Sequence, residues 1–117
     1  MALQKRIVKA STSGPRAEKE KQTFLQLRYE VARKSLDKGE ADKVVEACRD
    51  MVKQDAGFTP ARVTLGDAYR QLNRDADAIK VYQDGYKALK KSIFLARLED
   101  VYIGAEDPAA LLSFYRS

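Results

Sequence analysis

The sequence predicts an all-α fold, an α-α superhelix of about two and a half to three helix-turn-helix units. Two observations carry this. Gly39 and Asn73 each close a helical pattern, lie 34 residues apart, and are each followed by apolar residues at helical spacing. Turn signals at Lys38-Gly39-Glu40, Asn73-Arg74-Asp75 and Glu106-Asp107-Pro108 then divide the chain into helix pairs. A pair of this size cannot bury its own apolar face, so the pairs must stack.

The elements follow in order. Ser11-Thr12-Ser13-Gly14-Pro15 is a breaker cluster that separates a basic arm, residues 1–14, from a helical domain over 15–117. Within the arm Leu3, Ile7 and Val8 suit one or two helical turns or a flexible lead. Ala17 to Gln22 favours helix and extends the first repeat helix backwards. Helices are expected near 15–38, 41–54, 59–72, 75–89, 93–104 and 108–117. Gly39 suits the left-handed residue after a helix, and Asn73 is the next best choice for it. Asp107 before Pro108 reads as an N-cap with proline in the first helical position, and Thr59-Pro60 reads the same way.

Composition narrows the function. At 117 residues the chain holds one domain, and its 33% charged and 44% hydrophobic residues are those of an ordinary globular protein. No apolar run approaches the ~20 residues that cross a bilayer, and no signal-peptide core is read near Met1. The single cysteine, Cys48, leaves no internal disulfide and points to a reducing, cytoplasmic setting. The absence of histidine removes the commonest general base and metal ligand. No phosphate loop, nucleophile motif or metal cluster is present, so the expectation is no enzyme, no cofactor and no metal.

Charge is uneven. Residues 1–23 hold six bases against two acids, a net +4 of the total +5, which leaves +1 for the other 94. A nucleic-acid-binding domain carries its basic face through the folded part, so nucleic acid and membrane are set aside as principal partners. Lys5, Arg6 and Lys9 still offer an electrostatic contact to an acidic surface, headgroups or nucleic acid.

The segment Thr64-Leu65-Gly66-Asp67-Ala68-Tyr69, followed by Ala78, Tyr82 and Gly85, resembles the tetratricopeptide repeat family. The resemblance covers about Leu25 to the end, with units at about 25–58, 59–92 and a truncated 93–117. Gly66 and Ala78 are small where the helices of a pair cross closely, and Tyr69 and Tyr82 fill the space beside them. Arg62 and Lys90 depart from the pattern, standing where the family often has an aromatic and a proline. The first unit is more degenerate: Val31 and Ala32 stand for leucine and glycine, Ser35 for tyrosine, and Val44, Cys48 and Met51 line its second helix. In the third, Leu98, Tyr102, Leu111 and Tyr115 fit, while Glu99 takes the small-residue position. The wording of Phe58 to Asp67 also resembles bacterial repeat proteins that regulate lipopolysaccharide assembly. The membrane helix and cysteine module of those proteins have no counterpart in this sequence.

The resemblance implies a non-catalytic scaffold whose concave face receives a protein partner or peptide. Carried over residue by residue, the groove falls on Gln26, Tyr29, Glu30, Arg33 and Leu36, then Pro60, Val63, Thr64, Asp67 and Arg70, then Ile93, Ala96, Arg97, Asp100 and Ile103. Those expected to carry binding are Gln26, Tyr29, Arg33, Val63, Asp67, Arg70, Ala96, Arg97 and Asp100. A carboxylate clamp of the kind that binds chaperone tails is disfavoured, since Tyr29, Arg33, Thr64 and Ile93 depart from it and only Arg97 agrees.

Several residues have plainer readings. Cys48 sits mid-helix at a core position, and Tyr69, Tyr82, Tyr102 and Tyr115 read as packing residues. Tyr29 divides evenly between groove and core. Asp55, Asp67, Asp75, Asp77 and Asp84 suit turn caps and solvated faces, with Asp67 and Arg70 a local pair. Leu111, Leu112, Phe114 and Tyr115 make the last stretch unusually apolar. Either the sequence belongs to a longer array, or this stretch packs on another copy in a homo-oligomer.

Overall fold

In the computed structural model, which describes residues 15–104 and 106–116, six helices follow one another: α1 Pro15–Asp37, α2 Ala41–Gln54, α3 Thr59–Gln71, α4 Asp75–Leu89, α5 Ser92–Gly104 and α6 Pro108–Arg116. Each packs on its sequence neighbour, and α1 also touches α3 directly. The fold is therefore all-α, a row of helical hairpins in which α1, α3 and α5 form one layer and α2, α4 and α6 the other. The predicted helix ends agree to within a residue.

The three turns inside the hairpins are one motif used three times. Gly39, Asn73 and Glu106 have φ of 83°, 60° and 57°. Their amides donate to Leu36, Arg70 and Ile103, and the following amides of Glu40, Arg74 and Asp107 donate to Ser35, Tyr69 and Tyr102. This paired closure satisfies carbonyls that a helix C-terminus leaves open. Gly39 and Asn73 are thus placed as expected. Lys90 ends α4 in the left-handed region at φ 55°, with its amide donating to Tyr86.

Helix starts differ more. Asp107 Oδ1 accepts from the Ala110 amide at 3.2 Å, as an N-cap does. Thr59 is not the cap of α3: that place falls to Phe58, which makes no side-chain cap bond, and Pro60 follows in the first turn. The turn ahead of it is held instead by Asp55, whose Oδ1 accepts from the Gly57 amide at 3.0 Å.

Burial explains the sequence pattern. Val44, Cys48 and Met51 of α2, Ala61, Leu65 and Ala68 of α3, Ala78 and Tyr82 of α4, and Phe94, Leu98 and Val101 of α5 form a continuous core. Gly66 is small because the Tyr82 ring occupies the space beside it: a Cβ there would lie 2.2 Å from Tyr82 Cε1. Gly85 faces the Phe94 ring in the same way, with a Cβ at 2.5 Å. The predicted packing role of Tyr69, Tyr82 and Tyr102 holds, since all three are buried. Tyr115 departs from it and is 48% exposed. Cys48 is fully buried, and burial pushes its thiol up to about 12, so it is an inert core group. Among the described residues no helix is long and apolar enough to cross a membrane, and no group of metal-ligating side chains forms.

Candidate functional site

The layer of α1, α3 and α5 carries a cavity of about 390 Å³. Tyr29 and Arg33 of α1 form one wall, Thr59, Pro60, Val63 and Thr64 of α3 the floor, and Ile93 and Arg97 of α5 the other wall. Side chains three or four residues apart on each helix point the same way, which is how three separate helices contribute to one trough.

Asp67 is the centre of its electrostatics. Arg33 reaches it from α1 through a single contact at 3.2 Å. Arg97 reaches it from α5 through two, Nε to Oδ1 at 3.0 Å and an NH2 contact to Oδ2 at 3.3 Å. The Tyr82 hydroxyl donates to Oδ1 at 2.5 Å from the other layer. One carboxylate, 15% exposed, thereby ties together four helices. The Tyr82 phenol is pushed up from its ordinary value, first by burial and then by its bond to Asp67. The Arg97 guanidinium is held protonated more firmly, chiefly by the same carboxylate.

Gly66 makes this bond available. Because it has no side chain, the Tyr82 ring packs close against α3 at Gly66, and its hydroxyl meets the very next residue. The reading of Asp67 as a solvated acid paired locally with Arg70 is corrected accordingly: it is largely buried and bonds across units, to Arg33 and Arg97.

The structure sorts the remaining expected groove residues. Tyr29, Arg33, Val63 and Arg97 line the cavity, and Asp67 anchors its two arginines. Tyr29 serves groove and core together, since its ring also meets Phe58 edge-on at 6.3 Å between centroids. Gln26, Ala96 and Asp100 are exposed and Arg70 is half-buried, and none of the four lines the cavity. Thr59 lines it without having been expected there. Tyr82 was expected only as packing, although Gly66 beside Asp67 was the available signal that an aromatic hydroxyl could reach across. Of the apolar stretch near the C-terminus, Leu112 and Tyr115 are exposed, and the Tyr115 hydroxyl donates to Glu99. The side chains of Leu111 and Phe114 lie outside the described residues, as does the whole of the 1–14 arm.

Its arginines stay protonated near neutrality, and its one carboxylate is engaged by Arg33, Arg97 and the Tyr82 hydroxyl.

Comparison with known proteins bears on what such a trough belongs to. No curated protein matches the chain. A family model described as the bacterial transcriptional activator domain matches residues 3–97. The match gives no support to the resemblance with lipopolysaccharide-assembly regulators. It spans most of the sequence, including the whole trough, and on that basis the chain belongs to the bacterial transcriptional activator domain family.

Proposed function

We propose that this chain is a non-catalytic protein-interaction domain of the tetratricopeptide type, acting in transcriptional activation, whose concave trough receives an extended peptide or short helix. The observation that carries this reading is the cavity spanning three helices, with Tyr29, Val63 and Ile93 as apolar contacts between Arg33 and Arg97. Tyrosine and arginine are among the residues that carry most of the binding energy of protein interfaces, and Tyr29, Arg33 and Arg97 stand together here. The family supports a regulatory, binding role and a cytoplasmic setting. Repeat units at about 25–58, 59–92 and 93–117 remain part of this reading.

The family name also gives no ground for setting nucleic acid aside. A basic arm, Lys5, Arg6 and Lys9, joined to a domain of transcriptional activators is a second reading in which the arm touches DNA while the trough holds protein.

The test begins with a photo-crosslinking residue in place of Ala96, at the exposed edge of α5, to identify what docks beside the trough. The identified partner is then titrated against Tyr29→Ala and Ile93→Ala, which trim the walls without placing a new charge beside the Asp67 network. A loss of about tenfold or more in affinity is expected for each. Affinity unchanged in both variants removes the trough assignment. Deleting residues 1–14 separates the second reading: it weakens salt-dependent DNA binding if the arm is the contact, and leaves it untouched otherwise.

A further inference from the structure

The trough carries two rows of side chains. Arg33 and Arg97 meet at the Asp67 carboxylate. Four residues before each of the three, on its own helix, stand Tyr29, Val63 and Ile93, and all of these line the cavity. Residues four apart on a helix share a face, with Cβ atoms about 6 Å apart. An apolar row and a charged row therefore lie side by side, one helical turn apart, across α1, α3 and α5.

The charged row is not balanced. Two guanidinium groups meet one carboxylate, so the row is net positive by one charge. That carboxylate is full. Its Oδ1 accepts from Tyr82 and Arg97, and its Oδ2 from Arg33 and Arg97, against about four lone-pair sites in all. The arginines are not full. Each guanidinium has about five donors, of which Arg33 gives Asp67 one and Arg97 gives it two. Their side chains are 40% and 29% exposed and both line the cavity, so each can take a second acceptor. Asp100, three residues beyond Arg97, is exposed, and solvent screens its effect on this surplus.

We propose that the guest is an extended peptide bearing an Asp or Glu side chain two residues from a large apolar one. The acid sits on Arg33 and Arg97, and the apolar group on Tyr29, Val63 and Ile93. This rests on the trough being the binding site, as proposed above, and names what it selects. Residues two apart in an extended chain point to the same side, about 6–7 Å from each other, which matches the separation of the rows. A guanidinium fork holds a carboxylate through charge-assisted bonds. A basic guest side chain would instead meet two like charges, with Asp67 already saturated.

A random peptide library displayed on phage, selected on the full chain, supplies the probes. Binders are remade as synthetic peptides with both ends blocked and titrated by fluorescence anisotropy. They are expected to share an acid two residues from a large apolar residue. Replacing that acid by its amide should weaken binding about tenfold or more. In Arg33→Gln the acid and amide forms should bind nearly alike, which is the coupling expected of two groups in contact. Arg33 is chosen because it gives Asp67 a single contact and leaves those of Arg97 and Tyr82 in place; circular dichroism checks that the variant keeps its helices. The acid-to-amide comparison on the wild type needs no altered protein and stands by itself.

Equal affinity of the acid and amide forms overturns the proposal. So does an acid effect that persists in full in Arg33→Gln, or binding that requires a free C-terminal carboxylate. Peptides weakened by Tyr29→Ala and Ile93→Ala but indifferent to the acid sink this inference alone and leave the trough as the binding site. Selection that yields no peptide, or only peptides insensitive to both wall variants, removes the trough and this inference with it.

Discussion

Asp67 holds two guanidinium groups and a buried phenol, so removing it affects more than a surface pair. Asp67→Ala leaves the Tyr82 hydroxyl without its acceptor and Arg97, only 29% exposed, without its counter-ion. A fully buried network broken in this way costs ~3–5 kcal/mol. Arg33 is more open to water and its contribution is screened, so a loss of about 2–3 kcal/mol is expected in urea denaturation. A loss below about 0.5 kcal/mol would show that the network is a surface feature. Gly66 is the second sensitive residue. Alanine there gains about 1 kcal/mol of helix propensity but drives a methyl into the Tyr82 ring, 2.2 Å away. The ring must shift, which also pulls its hydroxyl from Asp67. Gly66→Ala should therefore destabilise by a net ~1–3 kcal/mol, read as a lower Tm. Cys48 gives a pH signature. Its thiol ordinarily titrates at 9.0 and is pushed up to about 12 by burial. The unfolded chain then loses the proton first, so the stabilising contribution is whole below pH 9 and is lost as pH rises toward 12. Unfolding free energy should decline through that window, and Cys48→Ala should remove the early part of the decline. Tyr82, shifted in the same direction, adds a later fall of the same sign.

At the scale of the element, three helix ends close with one hydrogen-bond pattern but three different residues. Only Gly39 adopts its φ of 83° without a side-chain penalty, while Glu106 adopts 57° with a Cβ in place. Glu106→Gly is expected to stabilise the α5–α6 turn by about 0.5–1 kcal/mol, seen as slower amide exchange in α6. Faster exchange would mean that the glutamate side chain contributes something the turn geometry does not. These turns also show where sequence was informative. Gly39 and Asn73 announce their conformation because few residues tolerate it, so the hairpins and their spacing were readable. Glu106 announces nothing, and its turn was placed through Asp107 and Pro108 instead. The start of α3 misled because Thr59-Pro60 has capping chemistry, whereas the chain is held by Asp55 two residues before Gly57. The trough was readable only as far as helical periodicity gives direction. Which acid pairs with which base depends on how neighbouring pairs stack, and nothing local in Asp67-Ala68-Tyr69-Arg70 says that the partners are 34 residues back and 30 ahead.

For the whole molecule, cohesion runs along the row of helices, because each contacts its neighbours rather than a shared centre. Damage in the middle should spread both ways. Asp67 joins α1, α3, α4 and α5 and is expected to couple the unfolding of the separate pairs. In Asp67→Ala, amide exchange in α1 and α5 should accelerate together, whereas Leu112→Glu should leave both unaffected. Exchange in α5 unchanged by loss of Asp67 would mean that apolar stacking alone couples the pairs.

The single-file arrangement has a hydrodynamic result. The radius of gyration is 17.2 Å and the principal extents are 60 × 32 × 15 Å, against about 13 Å for a near-spherical chain of this length. So oblong a particle tumbles slowly and elutes early from a sizing column, mimicking a heavier sphere. Elution volume would overstate its mass even for solitary molecules, whereas static light scattering, which weighs particles irrespective of outline, would not.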